Sequence, residues 1–206
     1  MKIVFATGNP HKLQELKAIA GDCGIEFILP PDGFDPVEDG KTFEENSFIK
    51  AREAAKLSGC TALADDSGLC VEALDGAPGI YSARYAETPQ KRIDKLLDNL
   101  RGIKNRKAKF VCSMSLVSAD GDLIFQTKGE CHGYITDKQA GTNGFGYDPI
   151  FVPLLPQTLG EGTIRTMAEL SQDEKNAISH RGKALRNVLE FLECGVGFIN
   201  PTLGET

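Results

Sequence analysis

The chain has 206 residues, 41% of them hydrophobic, which is enough to bury a full core and excludes intrinsic disorder; the length suits one domain, with or without two lobes. A formal net charge of -6 excludes a protein whose affinity comes from covering a long nucleic-acid backbone with Lys and Arg, yet a small anion needs only a local pocket of cations. Six scattered cysteines, with no Cys-x-x-Cys pair, read as buried reduced thiols, and the lack of a secretory leader or of an apolar stretch of about 18 residues predicts a soluble cytoplasmic protein with no membrane partner.

Residues 2–7 are a short apolar run that stops at Gly8-Asn9 and reads as a buried strand. Pro10 then opens a helix, with Leu13, Leu16, Ile19 and Ala20 on one face. The turn Thr7-Gly8-Asn9-Pro10-His11-Lys12 therefore offers N–H groups, a hydroxyl, an amide and an ammonium at a helix start, all donors suited to phosphate oxygens, although the Walker spacing is absent. An ordinary strand-helix turn with a surface lysine reads the same way. Residues 26–29 predict a second strand, followed by an irregular acidic loop through Gly40 that carries Glu38 and Asp39. Thr42-Phe-Glu-Glu45 has capping-box spacing, and Ala51, Ala54, Ala55 and Leu57 continue a helix to Gly59.

Residues 61–64 predict a strand that delivers Asp65 and Asp66 into a turn, with extended chain resuming over 69–73. Acidic Asp-Ser-Gly strings are common in solvated turns. Here the flanks are apolar on both sides, so the carboxylates leave buried structure directly and call for a compensating cation. A small acidic set with Glu38 and no His or Cys fits Mg²⁺ better than Zn²⁺. After the turn residues 75–79, Thr88-Pro89 starts a helix with the stripe Ile93, Leu96, Leu97 and Leu100, ended by Gly102. Residues 108–118 and 122–131 flank Ala119-Asp120-Gly121, a hairpin signal.

Residues 136–149 form a glycine-rich loop carrying Phe145-Gly146-Tyr147-Asp148, a flat apolar face beside a carboxylate that could stack on a base and bond its edge; packing of the aromatics beneath the loop is the plainer alternative. Residues 153–166 read as a polar insertion, and Ser171-Gln-Asp-Glu174 as a second capping box. In one continuous helix Lys175 and Arg181 would point about 120° apart. Ser179 is therefore read as a fresh N-cap, with a last helix starting at His180-Arg181 and burying Leu185, Val188, Leu189 and Leu192. A helix start bearing His and Arg attracts anions. On the residues alone, a Mg²⁺-dependent phosphohydrolase of some other nucleotide, or a non-catalytic nucleotide sensor, is also compatible.

Taken together, Thr7-Gly-Asn9 with Lys12, Thr42-Phe with Glu45-Asn46, Ala64-Asp-Asp-Ser-Gly-Leu69, Gly76-Ala-Pro-Gly-Ile-Tyr-Ser-Ala-Arg84, Gly144-Phe-Gly-Tyr-Asp-Pro149 and Lys175-Asn-Ala-Ile-Ser-His-Arg-Gly182 resemble the Ham1/inosine triphosphatase family over residues 2–192. The resemblance implies a hydrolase that cuts non-standard purine nucleoside triphosphates such as ITP, dITP and XTP to the monophosphate and pyrophosphate. It implies a Mg²⁺-dependent homodimer, each subunit an α/β protein with an elongated mixed β-sheet, flanking helices and two lobes around a central cleft. On that basis residues 1–194 are one domain and 195–206 an extension. Asp66 becomes the proton acceptor and a metal ligand, Glu38 the second ligand, and Asp65 a supporting residue or spare ligand. Thr7, Gly8, Asn9, Pro10, His11, Lys12, Ser67, Phe145, Gly146, Tyr147, Asp148, Lys175, His180 and Arg181 become substrate contacts. Within that scheme Lys12 and Lys175 offset charge on the phosphates, while Phe145 and the His180-Arg181 region select the base.

Overall fold

The computed structural model describes residues 1–154 and 164–194, without the side chains of Pro10 and His11. Strand β1 (Lys2–Phe5) leads into helix α1 (Pro10–Ala20), and β2 (Glu26–Ile28) precedes the acidic loop and α2 (Phe43–Ser58). Next come β3 (Ala62–Val71), a 3-10 helix over Gly79–Arg84, α3 (Pro89–Asn99), and the long hairpin β4 (Lys107–Val117) and β5 (Leu123–Ile135). A short β6 (Phe151–Pro153), α4 (Gln172–Ile178) and α5 (His180–Cys194) complete the described chain. The extension 195–206, and 155–163 of the insertion, lie outside the described residues.

The six strands form one mixed sheet in the order β2-β1-β3-β4-β5-β6. The first three are parallel and the others antiparallel. Short apolar β1 fits a buried parallel position between β2 and β3, while the hairpin turns at Gly121, whose φ of 93° suits glycine. Helices cover both faces. On one side Ala51, Ala54 and Ala55 of α2 pack on Val4, Ala62, Ala64 and Val117. On the other, Leu16 of α1 and Ala184, Leu185, Val188 and Leu192 of α5 pack on Ile3, Leu63, Met114 and Leu116.

The helix signals hold closely. Thr42 Oγ1 accepts from Glu45 N, and Gly59 caps α2 in the left-handed region. The Glu45 carboxylate returns to Lys41 N rather than to Thr42 N, so that box is displaced by one residue. Ser171 and Glu174 form a complete box, and Ser179 Oγ accepts from Gly182 N at 3.0 Å, separating α4 from α5. Two expectations are corrected. Asp65 and Asp66 are not in a turn: β3 runs unbroken through them, because its pairing with β4 continues from Ala62 to Val71. The cysteines form no disulfide, but only Cys112 and Cys131 are buried; Cys60 and Cys194 are exposed, just beyond the end of α2 and at the end of α5. Among the described residues no helix is long and apolar enough to cross a membrane.

Candidate active site

The site follows from a mismatch in strand length. The register of β1 with β3 ends at Phe5 and Leu63, while β3 continues to Val71 against β4. Between Ala64 and Gly68 β3 has no strand beside it on that edge, next to the point where the chain leaves β1 and turns into α1, before Cys70 bridges Pro78. A cavity of about 290 Å³ opens there, lined by Asn9, Lys12, Glu38, Lys50, Asp66 and Ser67 among polar groups and by Leu69, Ile80, Phe110, Phe145 and Tyr147 among apolar ones.

Successive side chains on a strand point to opposite faces, so adjacent Asp65 and Asp66 serve different clusters. Asp65, 1% exposed, faces α1 and α5. Its carboxylate takes Lys12 Nζ at 3.0 Å, the Ser67 hydroxyl at 3.2 Å, and Arg181 Nε and Nη2 each at 3.2 Å. Burial pushes this carboxyl up, but Lys12, Arg181 and Lys50 together hold it well below the ordinary carboxylate range. Asp65 thus anchors two cations, Lys12 and Arg181.

Asp66 faces α2. Asn46 Nδ2 donates to it at 3.2 Å, and Lys50 Nζ lies 3.5 Å from its Oδ1 and 3.3 Å from Glu38 Oε2. Burial raises its carboxyl above the ordinary value, with Lys50 and Lys12 opposing and Glu38 and Asp65 adding to the rise. A carboxylate so raised, on a cavity wall, is suited to accepting a proton. Glu38 and Asp66 already converge on one cation, the Lys50 ammonium, and this donor set of two carboxylates matches what Mg²⁺ takes from protein when phosphate oxygens and water complete its shell. Among the described residues no group of three or more His, Cys, Asp and Glu gathers in a metal-holding arrangement.

A second ionic cluster braces the far end. Glu15, on the buried side of α1, accepts Lys175 Nζ at 2.7 Å on one oxygen and Arg181 Nη1 on the other. Lys175 also reaches Asp148 Oδ2 at 2.9 Å, and that oxygen accepts Phe145 N at 2.8 Å. Gly144, with φ 76°, must be glycine, since a Cβ there would lie 2.1 Å from Asp148 Oδ2. The Phe145 ring is flanked by Lys175 Nζ at 4.8 Å and by the Arg181 guanidinium at 5.7 Å. Lys175 therefore stands with the aromatic loop and its carboxylates. His180 stacks on Phe110 at 4.9 Å and 13°, its Nδ1 buried without a partner among the described residues. Burial, then Arg181 and Lys175, hold its pKa well below the usual histidine value, so the ring is neutral.

Of the residues expected from sequence, Asn9, Lys12, Glu38, Asp66, Ser67, Phe145, Gly146, Tyr147, Asp148, Lys175, His180 and Arg181 line the one cavity. Thr7 and Gly8 form the turn behind it, where Thr7 Oγ1 accepts from Asn9 N at 3.1 Å. Pro10 and His11 begin α1, and their side chains lie outside the described residues. Sequence reasoning missed Glu15, Asn46, Lys50 and Phe110. A signal existed for Lys50 and Asn46: four residues apart on α2, they share its apolar face with Ala54, and charge on an apolar helix face requires a partner.

Comparison with known proteins places this geometry in context. The Ham1 family model matches residues 3–191. A dITP/XTP pyrophosphatase from Synechocystis sp. is 46% identical over 187 residues, covering 91% of this chain and 93% of its own; another from Shigella flexneri is 47% identical over 203 residues, covering 94% and 99%. A HAM1 protein structure from Coxiella burnetii superimposes with a TM-score of 0.83 at 42% identity, covering 94% of this chain and 98% of that one. The Staphylococcus aureus Ham1 protein gives 0.82 at 41%, covering 95% and 100%.

Proposed function

The chain belongs to the Ham1 family, and on that premise we propose that it is a dITP/XTP pyrophosphatase, hydrolysing ITP, dITP and XTP to the nucleoside monophosphate and pyrophosphate. The family resemblance also supports a cytoplasmic, Mg²⁺-dependent homodimer. The observation that carries the reading is the division of one cavity into two ends: a carboxylate–ammonium cluster of Glu38, Asp66 and Lys50, and an aromatic end with Phe145 held by paired charges.

Glu38 and Asp66 would hold Mg²⁺, which when bound would neutralise phosphate oxygens. Asp66, on the cavity wall, accepts the proton of the attacking water. Lys12 and Lys50, with the N–H groups at the start of α1, hold the phosphate chain. Phe145 stacks on the purine. Four hydrogen bonds to Glu15, Asp65 and Ser67 fix the Arg181 guanidinium and leave one of its N–H groups for the 6-oxo oxygen. Adenine presents an amino group there, and a buried donor left unpaired costs about 1–3 kcal/mol.

The test is product analysis with Mg²⁺ and ITP, XTP, dATP or dGTP. Pyrophosphate released chiefly from ITP and XTP, and abolished by chelation, is the expected outcome. Inorganic phosphate as the sole product, or tight binding without turnover, would overturn the proposal in favour of another phosphohydrolase or a sensor.

A further inference from the structure

We propose that Arg92 reads the 2-position of the bound purine, favouring the 2-oxo group of xanthine and opposing the 2-amino group of guanine. This rests on the function proposed above and adds the specificity that Phe145 and Arg181 cannot supply, since guanine also carries a 6-oxo group.

Arg92, on α3, lines the same cavity as Phe145 and Tyr147 and as His180 and Arg181 at the start of α5. Its Nε donates to Ala86 O at 2.9 Å, which fixes the half-buried guanidinium, and it forms no ion pair with any described residue. Its charge acts on Tyr147, two residues beyond Phe145, whose hydroxyl donates to Ser82 O at 3.0 Å. The other cations of the cavity differ: Lys12, Lys50, Lys175 and Arg181 are all tied to carboxylates. Arg84, which also lines the cavity, is exposed and leans over the Tyr81 ring. An anchored, half-buried guanidinium without a carboxylate, at the end where the base stacks, is the feature left for a ligand.

Guanidinium is a donor only. It complements an oxygen at the purine 2-position and leaves a 2-amino group facing N–H donors, whereas hypoxanthine has only hydrogen there and is indifferent. Xanthine nucleosides also lose a base proton close to neutrality, which places negative charge on the ring beside Arg92. His180, held neutral, and Tyr147, whose phenol burial pushes up, keep their charge states through that range, and Asp148 is locked to Lys175. The titrating group is thus the substrate.

The experiment measures kcat and KM for XTP, ITP and GTP with the Mg²⁺-loaded wild type, Arg92→Gln and Arg92→Lys, from below to above the ionisation of xanthine. In Arg92→Gln the XTP:ITP ratio of kcat/KM should fall roughly tenfold through KM, the size of one lost charge-assisted contact, while ITP kinetics hold and GTP gains relative to ITP. The wild-type preference for XTP should strengthen as pH rises and flatten in the Gln variant, with partial recovery in Lys. An unchanged XTP:ITP ratio, or a parallel fall for all three substrates, would overturn the assignment. A wild type that hydrolyses none of them would overturn the proposed function, and this inference with it.

Discussion

Replacing Gly129 with alanine tests how α5 is seated and how that seating reaches the site. Gly129 lies on the α5-facing side of β5, opposite Cys112 of β4, and its φ is not positive, so the backbone accepts alanine without strain. The added Cβ, however, would meet His180 O at 2.1 Å and Ala184 N at 2.7 Å. These are backbone atoms of the first turns of α5 and cannot swing aside as a side chain can. Ordinary non-bonded contact needs about 3.5 Å, so this end of the helix must withdraw by about 1 Å. Overpacking of this kind costs about 1–3 kcal/mol, and in a chain of this size Tm falls by roughly 2–4 °C per kcal/mol. The withdrawal carries His180 and Arg181 away from Phe110 and Asp65, and misplacing a positioning group by about 1 Å can cost about 100-fold in kcat/KM. Asp66 is on the α2 side and remains in place. The loss should therefore fall on KM and on discrimination against dATP, with kcat for ITP less affected. Thermal unfolding and steady-state kinetics on both nucleotides check this. An unchanged Tm together with unchanged kcat/KM would refute the close approach of β5 and α5 and the role given to it.

Asp66→Asn should lower kcat by orders of magnitude while the fold is kept, since an amide oxygen at the Oδ1 position still accepts from Lys50 Nζ and Ser67 N and Lys50 retains Glu38; near-normal turnover would remove Asp66 as the base. Glu15→Gln leaves Lys175 on Asp148 and Arg181 on Asp65 but takes a charge from between two buried cations. It should destabilise by about 1–3 kcal/mol, below the about 3–5 of deleting a partner outright because the amide still accepts one N–H, and an unshifted urea midpoint would refute the bridge. Glu174 is held down to about 2 by the Arg165 guanidinium and the Ser171 N–H. Its folded pKa lies below the unfolded value of about 4.3, so its contribution is complete above that pH and is lost as pH falls through about 2. Glu174→Gln should flatten the acid-side decline in stability over that window, measured by urea unfolding at several pH values; an identical decline would show that the pair with Arg165 contributes nothing.

Most elements were legible because their signals are local. Thr42, Gly59, Ser171 and Ser179 act within one helical turn of where they stand, and Gly121 within its own hairpin, so composition at those positions decides the structure. The acidic strand was misread for the same reason. Asp-Asp-Ser-Gly has the local chemistry of a turn, and what overrides it is a long-range partner, β4, which supplies a strand's hydrogen bonds along the whole segment. Glu15 was invisible on similar grounds: its partners Lys175 and Arg181 are 160 and 166 residues away. Single-sequence patterns reveal that a buried charge needs a partner but not which one.

The placement of Asp65 and Asp66 within a strand, instead of a turn, is also what allows two neighbouring carboxylates to do different work. In a solvated turn both would see similar water and similar cations, and their pKa values would stay together. On β3 the alternation of the pleat sends one to the α1–α5 side and the other to the α2 side. Asp65 meets two cations in near-total burial and is locked in its charged form; Asp66 meets one shared ammonium and a second carboxylate, and its proton affinity rises. Divergent environments for paired carboxylates are the physical condition for assigning one to structure and the other to proton transfer. The unpaired edge just beyond Leu63 completes that condition, because there the strand carrying the raised carboxylate borders the cavity.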